Sequence, residues 1–354
     1  LTSVATGLTA DAYVPLFKAA CTCDFGQSGF SPTDGSFKTL NTDNLSNPSI
    51  ADPTKHFNTV AYTGSAGTFS LTGVNFQPDF VWIKQRSGVE KHYLADVVRG
   101  WNKGWSSNDT SAETTDAGDG HIDSFDSDGW TGVGDKPVTT SNGVTFASWN
   151  WKAGGSASTN ENGTIDSSVS ANTTAGFSIV GYTGQSAAGT VGHGLSQAPE
   201  MIILKNRDQG VYWAGYVEAI GNTKSISLND SGAEYTEKTW NDTSPTSTVF
   251  SIGAQSETSS GRFNVAGEDF IAYCFHGVDG YSKIGSYTGN ASSDGTFIHT
   301  GFRPAWVLVK CSTTVDNWLI MDATRNTYNV INHKLYPNVS DAEADESVLD
   351  FTSN

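Results

Sequence analysis

Four tryptophans stand among polar residues of the kind that bind sugars. Trp101 and Trp105 lie in the glycine-containing segment 99–105, Trp130 follows in the same region, and Trp240 lies much further along the chain. An exposed indole packs against the C–H face of a sugar ring while nearby amides and carboxylates bond to its hydroxyls. These four side chains are the predicted ligand-binding residues, with a glycan as ligand. The alternative is that Trp101 and Trp105 close the ends of a β-sandwich as core residues.

A run of aspartates offers oxygen ligands for a cation. Asp123, Asp126 and Asp128 are the candidate Ca²⁺ ligands, with Asp116 and Asp119 shortly before them. Calcium takes six to eight oxygen ligands, but this spacing departs from the calcium loop that ends in a glutamate at position twelve. A solvated acidic loop is the favoured interpretation, and no cofactor is expected.

Motifs for nucleophilic or metal-dependent catalysis are absent from the sequence. The seven histidines form neither H-E-x-x-H nor a close pair, and neither G-x-S-x-G nor a phosphate-binding loop occurs. Among the 37 acidic residues, no pair is singled out as a glycosidase pair. We therefore expect a protein without catalytic activity, with a polysaccharide-degrading enzyme as the alternative.

One cassette occurs three times and identifies the elements that must position these side chains. Each copy has Tyr-Thr-Gly, then a proline, a run of four apolar residues and a lysine. Its tyrosines and lysines are Tyr62 with Lys84, Tyr182 with Lys205, and Tyr287 with Lys310. Copies 120 and 105 residues apart indicate tandem whole domains. We interpret the tyrosines as core residues and the lysines as reaching the surface on long stems, and we expect function where the copies differ.

The apolar runs predict strands that are buried on both faces. Four apolar residues between a proline and a lysine are too few for a helix, and the runs are Phe80–Ile83, Met201–Leu204 and Trp306–Val309. Copies one and two end in matching strands, Phe146–Trp151 and Phe270–Phe275, which copy three does not repeat. Each copy is predicted to be an all-β sandwich of about 100 residues.

Two further positions recur in each copy. An aromatic residue follows each lysine, and an asparagine stands five residues before a glutamate. The aromatic residues are Tyr93, Trp213 and Trp318, and the pairs are Asn108 with Glu113, Asn229 with Glu234, and Asn338 with Glu343. The asparagine is predicted to fix a turn by bonding to the backbone.

The repeats set the predicted domain boundaries. A separate unit occupies residues 1–50, and the three copies occupy 51–155, 156–280 and 281–354, the last incomplete at its C-terminus. A Ser-, Thr- and Asn-rich stretch at 160–174 is interpreted as the linker between copies one and two.

Composition excludes several classes of protein. A net charge of −17 argues against binding a phosphate backbone, and no apolar run is long enough to span a membrane. Four cysteines provide neither a disulfide framework nor the paired spacing of a zinc site. Cys21 and Cys23 share one face of a strand, and Cys274 is predicted to be a buried free thiol.

Parts of the sequence resemble known families. Residues 21–30 and 35–45 are similar to the last strands of SPRY-type β-sandwiches. The runs 281–289, 301–304 and 336–338 resemble repeat domains of unknown function in marine phage structural proteins, often described as tail-fibre-like or decoration-like. The second resemblance covers about residues 57–354 and implies a virion surface component without assigned catalytic residues.

Together these features predict a phage virion surface protein that mediates adhesion, to glycans, or virion assembly without catalysis. Its expected partners are other virion proteins and a host surface glycan or receptor, and a homo-oligomer such as a trimer is expected. The alternatives are a polysaccharide-degrading tailspike and a bacterial surface adhesin or filament subunit, which would place the protein at the bacterial cell surface.

Overall fold

The computed structural model describes residues 48–115, 122–258 and 262–352. These residues belong to one compact unit that begins at Pro48. The unit is all-β, as the sequence predicts, and its described helices are short 3₁₀ turns at Pro53–Lys55, Glu218–Ile220, Lys238–Trp240 and Gln255–Glu257. No helix in these ranges is long and apolar enough to cross a membrane. The SPRY-like segment, including Cys21 and Cys23, lies outside the described residues apart from residues 48–50.

Copy one contains two sheets. Its strands are β1 (Phe57–Thr63), β2 (Thr68–Leu71), β3 (Phe80–Gln85), β4 (Tyr93–Asp96), β5 (Gly100–Trp105), β6 (Thr114–Thr115), β7 (Ile122–Asp126), β8 (Gly129–Val133) and β9 (Thr145–Trp151). The larger sheet has the order β1-β9-β3-β4-β5-β6, and the smaller one has the order β2-β8-β7.

Copy two repeats this plan with two added strands at one edge. Its strands are β10 (Ser158–Asn160), β11 (Ser167–Asn172), β12 (Phe177–Thr183), β13 (Gly189–Gly192), β14 (Met201–Asn206), β15 (Ala214–Val217), β16 (Lys224–Ser225), β17 (Tyr235–Thr236), β18 (Val249–Ile252) and β19 (Asp269–Phe275). The large sheet is β10-β11-β12-β19-β14-β15. The prediction of a linker at 160–174 is wrong, because this stretch forms β11 and pairs with β12.

Copy three has fewer strands in the described residues. They are β20 (Trp306–Val309), β21 (Leu319–Asp322), β22 (Ile331–Lys334) and β23 (Ala344–Leu349), which form the pairs β20-β21 and β22-β23. The three predicted apolar strands are therefore confirmed as β3, β14 and β20, and the two closing strands as β9 and β19. The predicted burial on both faces holds for β3 and for β14 beyond Met201, whereas every residue of β20 is only partly buried.

Each large sheet buries both of its faces. One face packs on the copy's own core, and the other packs on a central core shared by all three copies. The central core includes Trp82 and Trp149 from copy one, Ile203 and Tyr273 from copy two, and Trp318 and Ile320 from copy three. Full burial of one large apolar side chain contributes about 2 kcal/mol, so much of each copy's stability depends on its neighbours. The copies share a core instead of forming a row of separate sandwiches.

Hydrogen bonds from aromatic side chains close the copies into a ring. In each copy, the aromatic ring eight residues after the cassette lysine donates an N–H to a backbone carbonyl of the preceding copy, two residues before that copy's repeated asparagine. The three bonds are Trp213 Nε1 to Ser106 O (3.2 Å), Trp318 Nε1 to Ser227 O (2.9 Å) and His92 Nε2 to Tyr336 O (2.9 Å). Because copy one bonds to copy three, the array returns on itself with pseudo-threefold symmetry.

His92 takes the place of a tryptophan in this ring. The sequence pattern places the repeated aromatic position at Tyr93, but the side chain that makes the bond is that of the preceding residue, His92. The indole Nε1 of Trp82 donates to His92 Nδ1 at 2.8 Å, so the imidazole proton lies on Nε2 and is donated to Tyr336. Burial, with a smaller contribution from the charge of Lys84, lowers the pKa of His92 to about 3. The ring is therefore neutral near pH 7 and reproduces the N–H of an indole.

The repeated asparagine and glutamate also form hydrogen bonds that support the closed arrangement of the three copies. Each asparagine side chain accepts the backbone N–H of the aromatic residue in its own copy, at 2.8–2.9 Å. The asparagine bonds to the backbone as expected, but its partner lies 16 or 20 residues earlier in the chain, so the prediction of a local turn is wrong. Each glutamate N–H donates at 2.8 Å to a carbonyl of the next copy, in the pairs Glu113 to Arg207, Glu234 to Ser312 and Glu343 to Arg86.

Two of these glutamates add an ion pair across the interface. Glu113 accepts two bonds from Arg207 at 3.0 Å, and Glu343 accepts two from Arg86 at 2.9 and 2.6 Å. Copy three has Ser312 at the arginine position, so Glu234 instead pairs with Lys224 of its own copy. The interface between copies two and three is therefore the least charged of the three.

Two of the three cassette lysines lie inside the protein, and the third, Lys310, is half-buried. Lys84 and Lys205 are fully buried, so the prediction that they reach the surface is wrong. Their ammonium groups donate to backbone carbonyls, among them Gln85 O for Lys84 and Thr110 O of copy one for Lys205. Burial lowers the pKa of both lysines to about 8.

The cassette tyrosines act as core residues in copies one and two, whereas the same prediction is wrong for Tyr287 of copy three, which is 53% exposed. Tyr62 stacks on Phe146 and Tyr182 on Phe270, each pair with an interplanar angle of 14°. The hydroxyl of Tyr62 donates to a backbone carbonyl as expected, whereas that of Tyr182 is buried with no partner among the described residues. Cys274 is a buried free thiol, as predicted.

We expect Glu113→Gln to destabilise the protein far more than Glu234→Gln. Glu113 neutralises Arg207 and the buried Arg99, and loss of one partner of a buried pair costs about 3 kcal/mol. Glu234 pairs only with the half-exposed Lys224, where the expected loss is below about 1 kcal/mol. Urea unfolding of both variants measures the difference, and equal losses would contradict a ring held by the two arginine interfaces.

We also expect His92 to make the protein sensitive to mild acid. Its pKa lies far below the ordinary value of 6.5. Below that pH the imidazole is therefore protonated in the unfolded chain but stays neutral in the folded protein. The free energy of unfolding then falls as the pH drops below 6.5, by up to about 1.4 kcal/mol per pH unit.

Urea unfolding between about pH 7 and pH 5 tests this dependence. His92→Gln should show a smaller fall in the free energy of unfolding than the wild type, even if it is less stable at pH 7. His299→Gln, at an exposed position, is the matched control and should retain the full fall. An unchanged slope in His92→Gln would show that His92 does not cause the dependence.

Candidate functional site

The structure leaves one of the four predicted tryptophans accessible. Trp101 is 45% exposed on β5, whereas Trp105 is 5%, Trp130 0% and Trp240 1% exposed. Each buried indole has a core partner: Trp105 lies edge-on to Trp213, Trp130 Nε1 donates to Ser148 Oγ, and Trp240 Nε1 donates to Ser225 Oγ. These three side chains cannot grip a sugar. The core alternative is right for Trp105 and wrong for Trp101.

Two carboxylates of the aspartate run accept hydrogen bonds that stabilise turns and hairpins. The carboxylate of Asp126 accepts from Ser124 and Thr131 of its own hairpin, and that of Asp128 accepts the backbone N–H groups of Gly73 and Asn75. Asp123 is exposed, and Asp116 and Asp119 lie outside the described residues. Within the described ranges, no three His, Cys, Asp or Glu side chains are placed to hold a metal ion.

A polar pocket of about 190 Å³ lies on copy two. Its lining residues include Tyr212, Tyr235, Asp230, Arg262 and the buried Glu237. Tyr212 is 38% exposed, so its ring is accessible to a ligand. The pocket combines aromatic surface with acidic, basic and hydroxyl groups in one concave site.

Neighbouring charged groups affect both tyrosines of this pocket. The guanidinium carbon of Arg262 lies 5.1 Å from the centroid of the Tyr212 ring, a cation–π arrangement that holds the ring in place. Burial raises the pKa of Tyr235, and the negative charges of Glu237 and Asp230 raise it further against an opposing bond from Ser227. The hydroxyl of Tyr235 is therefore protonated near pH 7 and can donate a hydrogen bond.

Hydrogen bonds between the copies fix residues at the pocket. Tyr212 directly precedes Trp213, whose backbone N–H is bound by Asn229 and whose indole bonds to copy one. The carbonyl of Ser227, another residue of the lining, accepts the indole N–H of Trp318 from copy three at 2.9 Å. Two different interfaces therefore fix residues at this pocket.

The residues of this pocket are not repeated in copies one and three. The positions of Tyr212 and Asp230 are held in copy one by Lys91 and Asp109, which form an ion pair at 2.6 Å. In copy three they are held by Asn317 and Val339. Tyr235 corresponds to Thr114 in copy one and to Ala344 in copy three, so neither of these copies has a tyrosine at the position of Tyr212 or of Tyr235. The available signal was a tyrosine directly before the repeated aromatic residue, which attention to tryptophan alone had missed.

The residue types in the pocket suit a polyhydroxylated ligand. A tyrosine face packs against the C–H groups of a sugar ring, and carboxylates and a guanidinium bond to hydroxyls in pairs. Sites of this kind need a few well-placed polar groups on a largely preformed surface. The pocket therefore presents residue types from which a sugar-binding site could be built.

A second hollow of about 420 Å³ is wider and lacks this aromatic surface. Its lining includes Thr173, Gln197, Asp279 and the buried His276, and no Tyr, Trp or Phe contributes to it in the described part of the chain. The imidazole Nε2 of His276 has no partner among the described residues. Without an aromatic face, this hollow is the weaker candidate for a sugar.

Residues 52–354 match the family described as Domain of unknown function (DUF7483). The chain belongs to this family. The match spans all three copies, as does the compact unit that begins at Pro48, so one DUF7483 domain corresponds to the whole ring. No curated protein and no solved structure matches the chain significantly.

Proposed function

We propose that this DUF7483 protein is a non-catalytic surface component of a phage particle that binds host glycans through the pocket of copy two. The observation that carries the proposal is the pair Tyr212 and Tyr235 in one pocket with Asp230, Glu237 and Arg262. One sugar ring would stack on Tyr212 while its hydroxyls bond to the charged groups.

The scaffold supports an adhesive role. Its copies are fixed by a shared core and by bonds at every interface, so the pocket needs little ordering when a ligand binds. A net charge of −17 favours solubility and keeps the protein from nucleic acid. The proposed location is the virion surface, with other virion proteins as neighbours.

Substitution of Tyr212 tests the proposal. The full chain is screened on a glycan array, and the affinity for the best glycan is measured by calorimetry. Tyr212→Ala should weaken binding about tenfold, which corresponds to roughly 1.4 kcal/mol for one lost stacking surface.

Two matched variants make the test specific. Asn317→Ala changes the equivalent position of copy three, and Trp101→Ala removes the exposed indole of copy one. Both should bind with unchanged affinity. The pocket assignment is overturned if Tyr212→Ala binds normally, and loss only in Trp101→Ala would move the site to copy one.

A second candidate function is polysaccharide cleavage, and one observation favours it. Asp230 and Glu237 place two carboxyl groups in the same pocket, which is the residue set of a glycoside hydrolase. Release of reducing sugar from host polysaccharide by the wild type, abolished in Glu237→Gln with binding retained, would establish this activity. Binding without any release supports the adhesive role.

A further inference from the structure

The central strand of copy three has one paired edge, where its two counterparts have two. In copy one, β3 lies between β9 and β4, and in copy two, β14 lies between β19 and β15. The strand β20 pairs with β21 alone in the described residues. Its second edge faces the place that a closing strand occupies in the other copies.

Backbone donors flanking this edge also lack the partners that the other copies provide. Just before and just after the central strand, backbone N–H groups donate to the closing strand, as in Asp79 N to Trp151 O and Arg86 N to Thr145 O of copy one. Copy two repeats both bonds with Glu200 and Arg207. The corresponding Ala305 and Ser312 N–H groups have no partner in the described part of copy three. An open edge of this kind is a template for another strand.

Side chains around the edge are uncovered in the same pattern. Tyr287 is 53% exposed, whereas its counterparts stack on Phe146 and Phe270 of the closing strands. Trp306 and Leu308 pack only partly buried on the central core. The indole nitrogen of Trp306 is buried with no partner among the described residues. The edge therefore lacks apolar cover as well as hydrogen bonds.

The ring predicts which side chain would complete the central core. The fifth residue of each closing strand bonds to an aspartate of the preceding copy: Tyr273 OH to Asp96 at 2.7 Å, and Trp149 Nε1 to Asp322 at 3.0 Å. Each aspartate is paired with a buried arginine, Arg99 or Arg325. Both acceptor sites are already filled by copies two and one.

The remaining site, on copy two, is apolar. By strand register the counterparts of Asp96 and Arg99 are Val217 and Ile220. Both are only partly buried at the margin of the central core. A strand that reached this site would need an apolar fifth residue, because a hydroxyl or indole N–H would find no acceptor there and would cost free energy when buried.

We propose that the open edge of β20 is a docking site for one antiparallel closing strand of this repeat, seven residues long, with an apolar fifth residue that has no hydrogen-bond donor. The occupant is defined by β9 and β19, which share phenylalanine at position two and an aromatic ring at position seven. It completes both the sheet of copy three and the third sector of the central core. This inference does not depend on glycan binding.

A synthetic strand added to the intact protein tests the proposal. The peptide has the Asp269–Phe275 sequence, with phenylalanine at the Tyr273 position, serine at the Cys274 position and flanking lysines for solubility. It should slow hydrogen exchange of the amides at 305–312 and raise the melting temperature. A peptide of the same composition in shuffled order is the control. No protection at 305–312, or equal protection by the shuffled peptide, overturns the proposal.

The choice of fifth residue gives a second test. The peptide with tyrosine at this position should bind about tenfold more weakly than the phenylalanine peptide, since its hydroxyl is buried without an acceptor. In the double variant Val217→Asp/Ile220→Arg, which recreates the aspartate–arginine pair of copy one, the preference should reverse. An unchanged preference would show that the strand does not reach copy two. Dimers of the free protein that bury β20 would show that a second copy is the occupant and would also overturn the proposal.

Discussion

The large sheets of this protein are apolar on both faces, so each must be covered twice. The copy's own second layer covers one face, and the other two copies cover the second face through the central core. Neither copy one nor copy two could leave that second face in water, where tryptophans such as Trp82 and Trp149 would be exposed. Packing in a closed ring covers this second face in copies one and two with the same surface. A linear row would leave the two end copies with an uncovered face.

Polar bonds decide which copy lies beside which. Apolar burial is non-directional, whereas an aromatic N–H aimed at one carbonyl, or a two-bonded arginine and glutamate, fixes orientation and register. The three interfaces share the backbone bonds but differ in side chains, with arginine in two and Ser312 in the third. His92 extends this logic, because a neutral imidazole supplies the same N–H as an indole. The pseudo-symmetry is therefore one of hydrogen-bond roles more than of residue identity.

The sequence allowed much of the fold to be predicted but not the packing of its copies. Strands buried on both faces followed from apolar runs such as Phe80–Ile83, and the core placement of Tyr62 and Tyr182 followed from recurrence. The repeat period gives the number of copies, but it is silent on whether a second sheet or another copy covers each face. The wrong prediction that Lys84 reaches the surface has the same origin. A long side chain places its ammonium at the surface only when no backbone carbonyls inside the protein can accept its hydrogen bonds. The sequence pattern did not identify His92, because its role depends on which imidazole nitrogen carries the proton. The residue type alone does not give this.

The pocket shows how the ring and a binding site are connected. Sequence reasoning looked for tryptophan, the strongest sugar-stacking side chain, but in this protein most tryptophans fill cores because the two-faced sheets need large apolar side chains. The accessible aromatic surface of copy two is instead Tyr212, an amphipathic residue that tolerates water at its hydroxyl. Its neighbour Trp213 anchors to copy one, and Ser227 anchors to copy three. Two different interfaces thus fix residues of the pocket lining, so the geometry of this pocket belongs to the assembled ring and not to copy two alone.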